Sequence, residues 1–354
     1  MAPRYFPFRS LPYIGGVKAW WKPKIKPTIP VEPPSYLNAF SAIDCRVGVT
    51  CPTVSTSYAI APSNEEVRKL ERSSPISDRE GACISYAQQG RWFVSSAQII
   101  GTAHQSGGVC EDSVGFAFGE NGSLTLVVTD GVGSGARGDV CSRAVVNHVL
   151  NGSPEAMIDA DRIHKLVQSS EDAVKRSLSH ITNDPGASML AAVWQTSEAT
   201  ALVSHVGDCR VYWWTVSRSG EVHLQAKTLD HTYSNLGESP PIGGRPDDPA
   251  RMIGLGCLGA PDIAVVDTAA ASRECAYFGW LLCSDGVHAF LPEAQIELEL
   301  GRLFDESRPS MGSAKSASVV ANQLLNLAVE AGSDDDITVL VAYSLGCGAI
   351  ESAC

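Results

Sequence analysis

Three apolar runs in this chain end on an aspartate next to a glycine: LTLVVTDG at 124–131, VSHVGD at 203–208 and WLLCSDG at 280–286. The acidic stretch Ser333-Asp334-Asp335-Asp336 leads into a fourth run, ITVLVAY. Short apolar runs bounded by turn residues have the signature of buried strands. Glycine lets the backbone turn sharply after such a strand, and the aspartate then stands at one rim of the sheet. Oxygen donors collected at one rim suit a hard divalent cation. Without a cation among them they would repel one another. The first reading is therefore a di-metal carboxylate site on a β-rich scaffold.

Composition narrows the choice. The chain has 354 residues, 44% of them hydrophobic, enough for one large core and an appendage. Its net charge of −12 argues against general nucleic-acid binding, which needs a basic surface. Of eleven cysteines, Cys83, Cys141, Cys257 and Cys283 lie in apolar runs, where they act as small core residues. No CxxC pair exists to build a zinc cluster, so reduced thiols and a cytoplasmic location are expected. No apolar stretch reaches the roughly 18–20 residues of a membrane span, and the N-terminus shows no secretory h-region.

Four segments are expected. Residues 1–35 form a basic, proline-rich tail with Lys22, Lys24 and Lys26 in WWKPKIKPTIPVEPP. That composition favours extended chain, read as a tail lying loosely on the acidic domain rather than as a tether. Residues 36–79 receive no assignment beyond a short helix at SNEEVRKLER, residues 80–345 form the globular domain, and 346–354 are a C-terminal tail. Within the domain, strands are expected at 82–89, 91–100, 113–118 and 123–129, the last two joined by Glu120-Asn121-Gly122. A helix after Gly135 carries Val140, Ala144, Val145 and Val149, and a second over about 157–181 carries Ile158, Leu166, Val174, Leu178 and Ile181. Strands follow at 188–196, 199–206, 210–216 and 221–226, then a Gly- and Pro-rich flap at 233–262. Strands at 263–267 and 279–284, helices at 292–304 and 314–331, and a strand at 337–344 complete the order. This predicts an α+β, αββα sandwich: two antiparallel sheets flanked by helix pairs.

The acidic elements in order are Glu111-Asp112, Asp130-Gly131, Gly207-Asp208, Asp285-Gly286 and Asp335-Asp336. Singly each is an ordinary turn. As a set, with Thr228-Leu229-Asp230-His231 between them, they resemble the metal-dependent protein phosphatases of type 2C over roughly residues 92–345. The family's Gly-Asp-Ser-Arg element resembles Gly207-Asp208-Cys209-Arg210, and its Asp-Asn-Ile-Thr element resembles Asp335-Asp336-Ile337-Thr338. GTAHQSGGVCED and DGVGSGA look most like a bacterial branch of the family.

The resemblance implies two Mn²⁺ or Mg²⁺ ions bridged by Asp130 and a water or hydroxide, with Asp130 and Asp285 as catalytic residues. Glu111 would hold one ion, and Asp285 and Asp335 the other, with the Gly131 carbonyl. Asp208 resembles the residue that, with the Asp285 equivalent, binds a weaker third ion. The implied activity is hydrolysis of phosphoserine and phosphothreonine in proteins, with a phosphoprotein substrate and a cognate serine/threonine kinase as partners. Two departures stand out. Gly107 occupies the place of the arginine that binds phosphate in familiar members, and Val132 that of a histidine thought to protonate the leaving group. Arg137, His104 and Arg143 are nearby candidates to substitute, so the substrate-binding residues stay open. The rival readings are a weakly active or inactive regulatory module that binds a phosphoprotein or kinase, and a phosphatase for small esters.

Overall fold

The computed structural model describes residues 57–60, 82–104, 109–119, 122–132, 137–152, 159–182, 185–196, 200–259, 261–304 and 314–346. The 1–35 tail, the helix expected at SNEEVRKLER and Gly107 lie outside these residues.

Two six-stranded antiparallel sheets form the centre. The first joins β1 (Ser57–Ile60), β4 (Ser113–Phe118), β5 (Leu124–Thr129), β6 (Leu190–Gln195), β7 (Thr200–Val206) and β10 (Asp262–Asp267), in that order. The second joins β2 (Cys83–Gln89), β3 (Trp92–Ile99), β12 (Ile337–Leu345), β11 (Tyr277–Cys283), β8 (Arg210–Val216) and β9 (Val222–Lys227). Helices α1 (Gly138–Gly152) and α2 (Ala160–Ser179) cover the first sheet. Helices α6 (Glu293–Gly301) and α7 (Ala314–Glu330) cover the second. Between them in sequence come α3 (Tyr233–Leu236), α4 (Ala269–Glu274) and α5 (Asp285–His288). The expected αββα sandwich is the observed architecture.

Alternation along each strand explains why the runs look continuously apolar. Leu124, Leu126 and Val128 of β5 face the interior between the sheets, beside Trp213, Trp280 and Leu340. Val127, one residue over, meets Val145 and Val149 of α1 on the other face. A strand with apolar cover on both sides has no polar face to display.

The structure extends the sequence reading at three points. Residues 57–60, inside the unassigned segment, pair as an edge strand with β4, Ser57 opposite Phe118. The short helices α4 and α5 were not foreseen. Helix α2 is shorter than expected: Asp159 caps it by accepting the Arg162 N–H at 2.7 Å, it ends at Ser179, and Ile181 beyond it is 50% exposed.

Sheet register decides where the acids go. Ser113 pairs with Thr129, so Asp112 and Asp130 emerge side by side from β4 and β5. Cys283 pairs with both Val339 and Arg210, so the end of β11, the start of β12 and the start of β8 share one rim.

Candidate metal and active site

Every acidic element singled out in the sequence reaches that rim. Asp130 follows β5, and its carbonyl is fixed by the Met189 N–H at 2.7 Å and the Ser188 hydroxyl at 2.9 Å. Its carboxyl is pushed well above the ordinary range by burial and by the charges of Asp112, Asp285, Asp208 and Asp335. Those four influences place Asp130 amid carboxylates from four other segments. Asp285 opens α5, and burial with the Asp335 charge pushes its carboxyl up to about 6. Asp208 follows Gly207, whose φ of 85° makes the turn between β7 and β8. Burial and the Asp285 charge push Asp208 up to about 8.

Glu111 and Gly131 meet on the other side of Asp130. The Gly131 N–H donates to the Glu111 carbonyl at 3.1 Å. A Cβ at Gly138 would lie 3.0 Å from both Glu111 Cδ and the Gly131 carbonyl oxygen. The Glu111 carboxyl and the Gly131 carbonyl therefore converge, and only glycine at 131 and 138 permits the approach. A Cβ on Gly131 would lie 2.2 Å from the Gly138 oxygen, well inside contact distance. Burial raises the Glu111 carboxyl, and the charges of Asp336, Asp139 and Asp335 add to it against the lowering influence of His104.

Adjacent residues Asp335 and Asp336 do different work. Asp336 is 2% exposed and accepts the Gly101 N–H at 2.8 Å on Oδ1 and the Glu111 N–H at 2.6 Å on Oδ2. It stitches three segments together. Asp335 stays half-exposed on the rim, and its Oδ1 accepts the Asp336 N–H at 2.8 Å. His104 Nδ1 stands 3.2 Å from Asp336 Oδ2 and 3.7 Å from Asp335 Oδ1. Burial opposes the imidazolium, but the Asp336 charge and hydrogen bond outweigh it and raise the His104 pKa.

The Asp208 turn is braced from several directions. His288 Nε2 donates to the Asp208 carbonyl at 2.8 Å, and burial lowers this imidazole to about 4, so it is neutral. Arg210 forks onto Asp230 with both N–H···O distances at 2.7 Å. Burial alone would raise Asp230, yet the arginine holds it below the usual carboxylate value. His205, His231 and Asp262 beside the turn each offer a ligand atom within 4.8 Å of the others. Their hydrogen bonds describe a brace instead. The Gly207 N–H donates to His231 Nδ1 at 3.3 Å, so Nε2 carries the proton and donates to Asp262 Oδ2 at 3.3 Å. Neither nitrogen of that imidazole keeps a lone pair for a cation.

The donor set fits a hard divalent ion. Glu111 Oε2, Asp112 Oδ2 and Asp208 Oδ1 are buried and, among the described residues, accept no hydrogen bond. Buried acceptors left unmatched are costly, and several carboxylates with raised pKa values signal mutual repulsion that a cation would relieve. The donors are carboxylates and a carbonyl, the chemistry of Mg²⁺ and Mn²⁺ rather than a thiolate zinc site. Cys209 lies in this neighbourhood, but burial and the Asp130 and Asp208 charges hold its thiol protonated. The sequence named Asp112, Asp230, His231 and Asp336 only as motif members, and His288 and Asp139 not at all; His288 meets the Asp208 turn from eighty residues away, and Asp139 pairs locally with Arg137 but belongs to none of the acidic motifs.

Val132, which stands where the resemblance expects a histidine, packs against the core between the sheets and carries no acid function. Arg143 lies on α1, and Arg137 precedes it with a left-handed φ of 63°.

Comparison with known proteins agrees with this fold. The serine/threonine phosphatase stp of Listeria innocua serovar 6a is 25% identical over 239 residues, spanning 65% of this chain and 88% of the relative. The S. agalactiae serine/threonine phosphatase superposes with a TM-score of 0.53 at 19% identity, over 72% of this chain and 99% of that one. The catalytic domain of serine threonine protein phosphatase PstP, in complex with two manganese ions, superposes with a TM-score of 0.50 at 21% identity, over 71% and 97% of the two chains. A sequence model of the family Protein phosphatase 2C matches residues 100–325, and across that span this chain belongs to the protein phosphatase 2C family.

Proposed function

We propose that this chain is a metal-dependent protein phosphatase that hydrolyses phosphoserine and phosphothreonine. The observation that carries the reading is the basin of carboxylates from five segments that meet at Asp130, with buried oxygens of Glu111 and Asp208 that no described residue hydrogen-bonds. Asp130 is assigned as the bridging ligand. Glu111 would hold one ion, and Asp285 and Asp335 the other; the Gly131 carbonyl, which the resemblance put with Asp285 and Asp335, converges with the Glu111 carboxyl and would serve that side instead. Asp208 with Asp285 offers a weaker third position. When bound, two Mn²⁺ or Mg²⁺ ions supply Lewis acidity, which activates water and neutralises phosphoryl charge during in-line displacement.

The chain's own residues prepare that chemistry. Ser188 and Met189 lock the Asp130 backbone, so its carboxylate needs little reorganisation. Asp336 fixes Glu111 through its backbone N–H. His288 and His231 hold the turn that presents Asp208. His104 adds a positive group at a rim otherwise dominated by acids. PstP, a structural neighbour, binds two manganese ions, which favours the same metal class here. Among the described residues no helix is long and apolar enough to cross a membrane. The buried thiols of Cys141, Cys209 and Cys283 suit a reducing, cytoplasmic setting.

The test is metal analysis together with turnover of a phosphoserine peptide and p-nitrophenyl phosphate in Mn²⁺. The expected result is about two ions bound per chain and metal-dependent turnover abolished by chelation. Peptide binding without turnover at any metal concentration would favour the regulatory reading. Turnover of small esters but not of the peptide would favour a small-ester phosphatase.

A further inference from the structure

Arg137 breaks three local rules at once. It has a φ of 63°, and it is the one non-glycine residue with positive φ among the described residues. A left-handed backbone strains an arginine and suits glycine. Its carbonyl accepts the first bonds of α1, from the Val140 and Cys141 N–H groups at 3.0 and 3.2 Å. That position favours Ser, Thr, Asp or Asn, whose side chains accept a helix N–H, whereas arginine has no acceptor. It also sets a cation at the positive end of the helix dipole. Strain kept at a site lined by functional groups points to a function that requires this side chain.

The side chain is aimed rather than loose. Nε donates to Asp139 Oδ1 at 2.9 Å and Nη2 to Asp139 Oδ2 at 3.0 Å. The Asp139 carboxylate is only 7% exposed, while the Arg137 side chain is 48% exposed. The fork uses one edge of the guanidinium; among the described residues none accepts from Nη1. The adjoining Gly138 is the residue packed against Glu111 Cδ and the Gly131 carbonyl. Arg137 therefore stands one residue from the point where two candidate metal ligands converge. Other cations at the rim are committed: Arg210 is spent on Asp230, and His104 faces Asp335 and Asp336.

We propose that Arg137 receives the phosphoryl oxygens of the substrate, through the guanidinium edge that Asp139 leaves open. A planar fork oriented by a buried carboxylate matches two oxygens of a phosphate monoester dianion. The inference rests on the phosphatase reading and adds the residue that binds the phosphate.

Arg137→Gly in the full chain tests it, because glycine accepts the backbone without strain. The melting temperature reports the strain relieved at the backbone against the loss of the Asp139 fork, and a modest change either way leaves the KM readout valid. KM for p-nitrophenyl phosphate and for a phosphoserine peptide should both rise about tenfold, the weight of one charge-assisted pair. Arg137→Lys should lie between, keeping the charge without the fork. An unchanged KM in a fully stable Arg137→Gly variant overturns the proposal. So does a rise confined to peptides with acidic neighbours, which would assign the guanidinium to a carboxylate. A large fall in melting temperature with KM unaltered would make the Arg137–Asp139 pair structural and equally overturn it. If the wild-type protein turns over neither ester, the phosphatase reading fails by itself. Calorimetry of inorganic phosphate binding to the Mn²⁺-loaded wild type and Arg137→Gly then decides this inference separately: weaker binding by the variant supports it, equal binding overturns it.

Discussion

Asp336 and Asp230 on one hand, and Glu111 and Asp208 on the other, occupy the same acidic rim under opposite conditions. Each oxygen of Asp336 takes a backbone N–H, and each oxygen of Asp230 takes an arginine N–H at 2.7 Å. Glu111 Oε2 and Asp208 Oδ1 are buried too and accept nothing from the described residues. The first pair is paired and hydrogen-bonded, which is how a buried charge is tolerated; the second leaves oxygens open to a cation or a proton. Hydrogen-bond saturation thus separates acids that build the rim from acids kept available at it.

The sharpest way to break this comparison is Asp130→Asn. Turnover should fall at least a hundredfold, a loss of about 2.7 kcal/mol or more of barrier lowering. Metal-free stability should hold or increase, because one member of a repelling cluster becomes neutral. A variant that retains more than about a tenth of wild-type kcat has lost less than roughly 1.4 kcal/mol, too little for a bridging ligand.

Arg210→Ala tests the saturated side. It strands the buried Asp230 carboxylate, so denaturant titration should record about 3–5 kcal/mol of destabilisation, with or without metal. A loss below about 1 kcal/mol would show that the pair behaves as an exposed one.

pH sharpens the unsaturated side. Asp285 and Asp208 have pKa values pushed up to about 6 and about 8, above those of unfolded aspartates. A raised folded value means that the native state holds protons more tightly than the unfolded chain. Their contribution is therefore fully present below about pH 4 and is lost as pH rises through about 6 and then about 8. Metal-free protein should lose on the order of a few kcal/mol across that window, and saturating Mn²⁺ should flatten the profile. Metal-free stability that rises with pH from about 5 to about 8 would contradict the unsaturated carboxylate basin.

The smallest effect is expected from the region outside this comparison. Removing residues 1–35, which contain none of the acidic motifs, should change kcat on p-nitrophenyl phosphate less than about twofold. A collapse of turnover in soluble protein would show that the segment helps to form the site.

The sheet strands and the acidic motifs were readable because each carries its signal locally. LTLVVT is apolar throughout since both faces of β5 are covered, and Asp130-Gly131 marks its end. Ser57–Ile60 carried no such signal: four residues become a strand only through pairing with β4. Helix α5 was hidden because Asp285-Gly286 reads equally as a turn. The histidines bracing the Asp208 turn were also unreadable, since His288 and Asp262 come from segments far from it in sequence.

The order of apolar runs and aspartates fixed by itself the sheet-rich class, the rim on which the acids stand and the family resemblance, because burial period and turn chemistry are properties of neighbouring residues. Tertiary structure decided which acid does what. Asp335 and Asp336 are adjacent and chemically identical in sequence. Only the approach of Gly101, Glu111 and His104 turns one into a buried clamp and leaves the other on the rim. Arg137 shows the same limit: nothing in the residues around it announces a left-handed backbone beside Glu111. Hydrogen-bond saturation and backbone strain depend on what the fold brings near, and no local pattern encodes them.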